Sequence, residues 1–345
     1  MKLITIIIIS MLLSIASLGS TKALTTPLNK KSTALDVLTQ LNQSNRLAPY
    51  VTPNGVAVVT GGNSGIGAVC VETLALTGMK VVLCARNLES AQKTKEGIAK
   101  PFQELVEIQE LDLADLNSVK QASQDILDKY GQIDLLLNNA GVMAISTKQL
   151  TTQGIEMQFG TNHVGHHFLT RLLVPNMKPN GRVVTVASVA HTFASGPTID
   201  WEPKKYSPWG AYGQSKLANI LFAKRLQELM IESGKADLTS VSLHPGVIGT
   251  SLWRNMPWFV QPFKGLFADK TIDQGAATSM FCCLADKVTP GAYYSDCQVK
   301  EPSTNAQDKI LTANLWEYTE NLIVQKGFEM PKALITEGLS AGKKS

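Results

Sequence analysis

The chain has 345 residues, of which 44% are hydrophobic, 17% charged and only 6% aromatic, with 26 Gly and 15 Pro. That balance excludes low-complexity disorder and a collagen-like repeat, and the length suffices to bury a core without disulfides or a structural metal. The net charge of +4 comes from 32 basic and 28 acidic residues with no long like-charged run, so nucleic acid is not an expected partner. Five Cys make no disulfide framework, and no CxxC pair points to zinc.

Residues 1–23 read as a targeting segment: Lys2, an apolar run from Leu3 to Ala16, then smaller residues to Ala23. The run is short for a membrane span, which favours a signal peptide over a signal-anchor and directs the chain to the secretory route, with membrane association as a further expectation. Residues 24–53, rich in Ser, Thr, Asn and Lys, read either as a linker or as a second, plastid-directed signal, the bipartite arrangement of algae with complex plastids. Residues 331–345 read as a tail.

From Gly55 the pattern changes. Short apolar runs at Val56–Thr60, Lys80–Cys84, Val106–Glu110, Ile133–Leu137, Arg182–Val186 and Thr239–Leu243 predict buried strands. Between them Gly65–Thr77, Leu116–Tyr130 (capped by Asp115), Gln153–Leu173 and Tyr212–Ser233 predict helices. Strands alternating with helices predict an α/β fold, a doubly wound parallel sheet of Rossmann type, in one domain over 54–330.

Thr60-Gly61-Gly62-Asn63-Ser64-Gly65-Ile66-Gly67 joins the first strand to the first helix. Glycines there permit a tight turn and close approach to a pyrophosphate, which the helix N-terminus then faces with free N–H groups. Gly61, Asn63, Ser64, Gly65, Ile66 and Gly67 are therefore expected to hold a dinucleotide. At the end of the second strand, where an NAD site usually carries an acid, Cys84-Ala85-Arg86-Asn87 stands instead. A guanidinium can pair with a 2′-phosphate, so Arg86 points to NADP(H).

Asn138-Asn139-Ala140-Gly141 closes the fourth strand, at the sheet edge where such folds bind ligands. Tyr212-Gly213-Gln214-Ser215-Lys216 puts a phenol and an ammonium at i and i+4 on one helix face. A neighbouring ammonium and the charge of oxidised nicotinamide are expected to lower the phenol pKa and fit it for proton transfer. Ser188, just past the fifth strand, is placed to hydrogen-bond the same substrate oxygen, and Asn162 is a poor helix former inside a helix, which invites a functional reading.

Together these residues resemble the short-chain dehydrogenase/reductase family over about residues 54–325, with TGGNSGIG, NNAG, Ser188, YGQSK and HPGVIGT in the family's order. The resemblance implies that Tyr212 is the acid/base, Ser188 orients the carbonyl or alcohol, Lys216 lowers the Tyr pKa and holds the nicotinamide ribose, and Asn162 supports a water-linked proton relay. It further implies cofactor contacts from Asp112, Leu113, Asn139, Ala140, Gly141, Pro245, Gly246, Val247 and Thr250. QFGTNHVGHHFLT, YGQSKLANILF and GAYYSDCQV are similar to the retinol dehydrogenase-like branch, which includes relatives of protochlorophyllide reductase and the WW-domain oxidoreductase. That branch is largely NADP-linked and acts on apolar carbonyls or alcohols. An NADPH-binding scaffold without turnover and a light-driven tetrapyrrole reductase stay as alternatives. Oligomeric state stays open, with homodimer pairing through the helices after strands four and five implied by relatives.

His163, His166 and His167 are not expected to bind a metal, since neighbouring helix positions diverge and no acid accompanies them. His191, three residues past Ser188, is a candidate substrate contact or, equally, a residue that hydrogen-bonds within its loop. Trp253 and Phe259, in an aromatic and Pro-rich stretch after the nicotinamide segment, are candidates for a substrate lid. Cys84, Cys282 and Cys283 read as small buried hydrophobes.

Overall fold

The computed structural model describes residues 27–194, 200–202, 205–248 and 269–332. The targeting segment 1–23, the stretch carrying Thr250, Trp253 and Phe259, and the tail beyond residue 332 lie outside the described residues.

Eight strands form one sheet: β1 (Val56–Thr60), β2 (Lys80–Ala85), β3 (Val106–Glu110), β4 (Ile133–Asn138), β5 (Met177–Val186), β6 (Thr239–His244), β7 (Tyr293–Ser295) and β8 (Gln298–Lys300). Their order is β3-β2-β1-β4-β5-β6-β7-β8, parallel throughout except for β8, which pairs antiparallel with β7. The expected doubly wound sheet is therefore present. Chain progression reverses between β1 and β4, so the crevice at their C-terminal ends is the natural ligand site.

The longer helices among the described residues are α1 (Ala34–Gln43), α2 (Gly65–Leu76), α3 (Leu88–Gly97), α4 (Leu116–Tyr130), α5 (Gly165–Leu173), α6 (Pro208–Glu232), α7 (Ile272–Leu284) and α8 (Lys309–Gln325). Successive strand residues point to opposite faces and build two cores. Val58, Leu136 and Val183 pack with α4, α5, α6 and α8; Val59, Leu137 and Val184 pack with α1, α2 and α7. All five Cys are free thiols and buried, Cys84, Cys282 and Cys283 as expected.

Three expectations are corrected. The segment 24–53 does not behave as a linker from Thr33 onward: Thr33 and Asp36 form a capping box for α1, whose Val37, Leu38 and Leu41 are buried. Burying each such side chain stabilises the fold by about 2 kcal/mol, and Ala48 N–H to Leu284 O (2.8 Å) and a bond from the Tyr50 hydroxyl to Cys283 O (2.5 Å) tie the following residues to α7. The helix expected over Gln153–Leu173 starts only at Met157 and passes through one π turn, Gly160–Val164, before α5. The helix α6, expected from Tyr212, starts four residues earlier, because Ser207 caps it by accepting the Gly210 N–H.

α8 lies across α5 and α6. Trp316 stacks on Phe222 at 5.8 Å, and Glu320 accepts hydrogen bonds from Arg171 Nε (2.7 Å) and His167 Nε2 (2.8 Å), both side chains fully buried. α8 thus covers part of α5 and α6. Among the described residues no helix is long and apolar enough to cross a membrane.

Candidate active site

A cleft of about 700 Å³ opens at the C-terminal ends of β1, β2, β4, β5 and β6. It is floored by the glycine turn. Gly61 sits at φ +64°, where a side chain is strained, and a Cβ on Gly67 would collide with the Gly61 carbonyl and lie 2.6 Å from Asn139 Nδ2. No side chain caps the N-terminus of α2, so its first N–H groups face the cleft with no internal partner. A bare backbone, a helix dipole and no carboxylate in the turn fit the pyrophosphate of a dinucleotide.

Arg86 lies on the cleft wall with its side chain 69% exposed, its guanidinium 4.0 Å from Asp112 Oδ2. The Asp112 carboxylate accepts the Ala114 N–H, and its backbone N–H donates to Ser118 Oγ, which fixes the loop after β3. Asn63 Nδ2 donates to Ser90 Oγ at 2.6 Å, tying the glycine turn to the start of α3. Asp112, Leu113, Asn139, Ala140, Gly141, Pro245, Gly246 and Val247 all line the same cleft.

At the other end Ser188, Tyr212 and Lys216 converge. Ser188 follows β5 in extended backbone and opens a short 3-10 turn, its hydroxyl accepting the Ala190 N–H at 3.1 Å. Lys216 Nζ donates to the Val186 carbonyl at 3.1 Å, beside Asn219 Nδ2 on the same oxygen at 3.0 Å. Burial brings the Lys216 pKa down to about 8. Burial pushes the Tyr212 phenol up to about 12, and the hydrogen bond to Ser188 opposes that rise; the lowering expected from Lys216 and an oxidised nicotinamide together belongs to the cofactor-bound site.

Asn162 occupies the π turn, a feature frequent at functional sites. Its side chain clamps the loop after β4, accepting the Val142 N–H (2.8 Å) and donating to the Val142 carbonyl (2.9 Å) and to Ser215 Oγ (2.9 Å). Ser215 Oγ in turn donates to the Tyr212 carbonyl at 2.7 Å. The amide is thus engaged in holding the catalytic helix against the NNAG loop.

His191 does not line the cleft; of its two expected roles, the substrate contact is corrected and the loop hydrogen bond is the one found. Its buried ring donates Nδ1–H to the Ser188 carbonyl (2.7 Å) and accepts the Ser303 N–H at Nε2 (3.0 Å), so it steadies Ser188 from behind. The apolar wall beside the phenol is instead Met143, Val189, Phe193 and Trp209. Trp209 meets Tyr212 edge-on at 6.2 Å, and Phe193 meets Trp209 edge-on at 6.1 Å. Sequence reasoning missed this wall. Trp209 sits in the first turn of α6, one turn before Tyr212, and that spacing was the available signal.

A glycine cradle for a dinucleotide, joined at one sheet edge to a Ser–Tyr–Lys set, defines a nicotinamide-dependent oxidoreductase of the doubly wound α/β class. The model of the short chain dehydrogenase family matches residues 55–258. The chain is 38% identical over 283 residues (77% of this chain, 88% of the relative) to "Short-chain dehydrogenase TIC 32 B, chloroplastic" of Brassica napus. It is 35% identical over 280 residues (79% and 87%) to retinol dehydrogenase 11 of Mus musculus. Among solved structures, a protein from Mycobacterium paratuberculosis is similar at 33% identity and a TM-score of 0.64, over 80% of this chain and 95% of that one. A short chain dehydrogenase from Burkholderia cenocepacia in complex with NADP shares the fold at 22% identity and a TM-score of 0.54, over 68% and 91%. The chain belongs to the short-chain dehydrogenase/reductase family, and is an oxidoreductase acting on CH–OH or carbonyl groups.

Proposed function

We propose that the protein transfers a hydride between NADP(H) and a hydrophobic carbonyl or alcohol. The observation that carries the substrate class is the wall of Met143, Val189, Phe193 and Trp209 converging on Ser188 and Tyr212. Val189, Phe193 and Trp209 are three large apolar side chains left exposed at 45%, 56% and 39% at one mouth, a feature that marks a site for an apolar ligand. The reading of NADP(H) is supported by Arg86, exposed on the cleft wall at the end of β2, with no acid at its own or the next position. The retinol dehydrogenase names of relatives agree with an apolar substrate.

When bound, the nicotinamide supplies or accepts the hydride. Ser188 donates a hydrogen bond to the substrate oxygen and Tyr212 holds the proton that oxygen needs. With its pKa up at about 12, the phenol is protonated at neutral pH, so the chain presents an acid to a carbonyl. Lys216, anchored by Val186 O, keeps a cation one helical turn below.

The test is purified protein with NADPH or NADH against retinal, long-chain aldehydes, quinones and short polar carbonyls. NADPH oxidation confined to long apolar substrates supports the reading; turnover of polar carbonyls alone overturns it. NADPH binding with silence across the panel favours the scaffold, and turnover of a tetrapyrrole only under illumination favours the light-driven reductase. We also infer that residues 1–32, ahead of the packed helix α1, direct the chain to the secretory route or a complex plastid, supported by the Lys2–Ala23 pattern and checked by the destination of a reporter fused behind them.

A further inference from the structure

Thr60, the last residue of β1, and His166, in the first turn of α5, are both buried and meet at 2.8 Å between Oγ1 and Nε2. The other ring nitrogen, Nδ1, lies 3.0 Å from the Asn162 carbonyl. A carbonyl can only accept, so Nδ1 carries the proton. Burial holds the imidazole neutral, with its pKa brought down to about 4, which leaves Nε2 as an acceptor. Thr60 must then donate its hydroxyl proton to Nε2. Its alternative acceptor, Leu137 O, is farther at 3.4 Å. The two remaining lone pairs of Thr60 Oγ1 accept the N–H groups of Asn139 (2.9 Å) and Ala140 (3.0 Å). Every donor and acceptor in the set is used once, with no proton left to place.

That chain of bonds ends on cofactor and catalytic elements at both sides. Asn139 and Ala140 line the cleft, while Asn162 carries Val142 and, through Ser215, the backbone of Tyr212. Asn162 lies in the π turn Gly160–Val164, and His166 reaches back from just beyond it to the Asn162 carbonyl.

We propose that His166 is a positioning residue for hydride transfer: as its Nδ1–H tautomer it sets the spacing between the NNAG loop and the Asn162 clamp on the catalytic helix. A merely space-filling ring would be replaceable by Phe, and its nitrogens would have no defined protonation. The proposal rests on the oxidoreductase character of this site, and two of its readouts do not need a substrate.

The first readout is two-bond 1H–15N NMR of imidazole-labelled full chain at neutral pH. The His166 pattern is expected to show Nδ1 protonated and Nε2 bare; the Nε2–H tautomer, which dominates in free histidine, overturns the proposal. The second is a double-mutant cycle of Thr60→Val and His166→Phe read in NADPH Kd. Each single change is expected to weaken binding about fivefold to tenfold, and the pair no more than the worse single one. Effects that multiply mean that the two side chains act apart, and sink the idea. Once a turned-over substrate is in hand, His166→Asn, which restores the donor to Asn162 O, is expected to recover part of the kcat lost in His166→Phe. If the Phe variant fails to fold, the Asn variant and the NMR tautomer decide.

Discussion

Lys216 Nζ lies 5.7 Å from the centroid of the Tyr212 ring and is turned to the Val186 carbonyl rather than the phenol. The ammonium is therefore anchored to the sheet, and the phenol keeps its proton because burial outweighs distant charge. Tyr212→Phe is expected to remove turnover by about 10²–10⁴-fold while NADPH Kd stays within about twofold, because only the proton donor is lost. Alcohol oxidation, which needs the phenolate, is expected to rise with pH between 7 and 9, whereas carbonyl reduction is not. Initial rates in the two directions check both statements.

Arg86 is expected to select the cofactor. Its exposed guanidinium stands at the outer limit of ion pairing with Asp112, free to turn to a phosphate. Arg86→Asp should weaken NADPH while leaving or improving NADH, reversing the ratio of their Kd values. An unchanged ratio would show that the 2′-phosphate is read elsewhere.

Trp209 and Phe193 should set the length of substrate that is used. Removing one such aromatic contact forfeits about 1.5–3 kcal/mol, so Trp209→Ala is expected to lower kcat/KM for a long apolar carbonyl about 10–100-fold. A short carbonyl that does not reach the wall should be nearly unaffected. Equal losses for both would place Trp209 in the support of Tyr212 instead.

Glu320 neutralises Arg171, a guanidinium with no exposed surface. Glu320→Ala leaves that charge buried and unpaired, and is expected to cost about 3–5 kcal/mol in urea denaturation. Because α8 covers α5 and α6, cross-links between copies through α6 should be absent from the native chain and emerge in this variant.

All five histidines of the chain titrate below the usual imidazole range in the folded state, chiefly through burial, His166 and His244 at about 4. The unfolded chain takes up these protons near pH 6.5 and the folded chain does not, so stability is whole above that value and falls between about 6.5 and 4. For fully buried His166 alone this amounts to roughly 3 kcal/mol. Thermal melts should show Tm dropping steadily across that interval; a flat Tm from pH 7 to 5 would contradict the burial.

The sequence by itself determined the alternation of strands and helices, the glycine turn, the Arg86 position and the Tyr212–Lys216 pair. Those patterns lie within a few residues of each other, and periodicity, backbone sterics and helix geometry act at that range. The extents of local elements shifted where a cap or a bulge intervened, as at Ser207 and in the π turn around Asn162. Only the tertiary structure decided the rest. It put Thr60 on His166, turned His191 from the cleft to Ser303, brought Phe193 and Trp209 together beside the phenol, and laid residues from Thr33 onward on α7. Those partners run from 16 residues apart (Phe193 and Trp209) to 233 (Tyr50 and Cys283), and whether a side chain meets water, a ligand or a distant backbone amide is settled by packing of the whole sheet, to which no local stretch of chain has access.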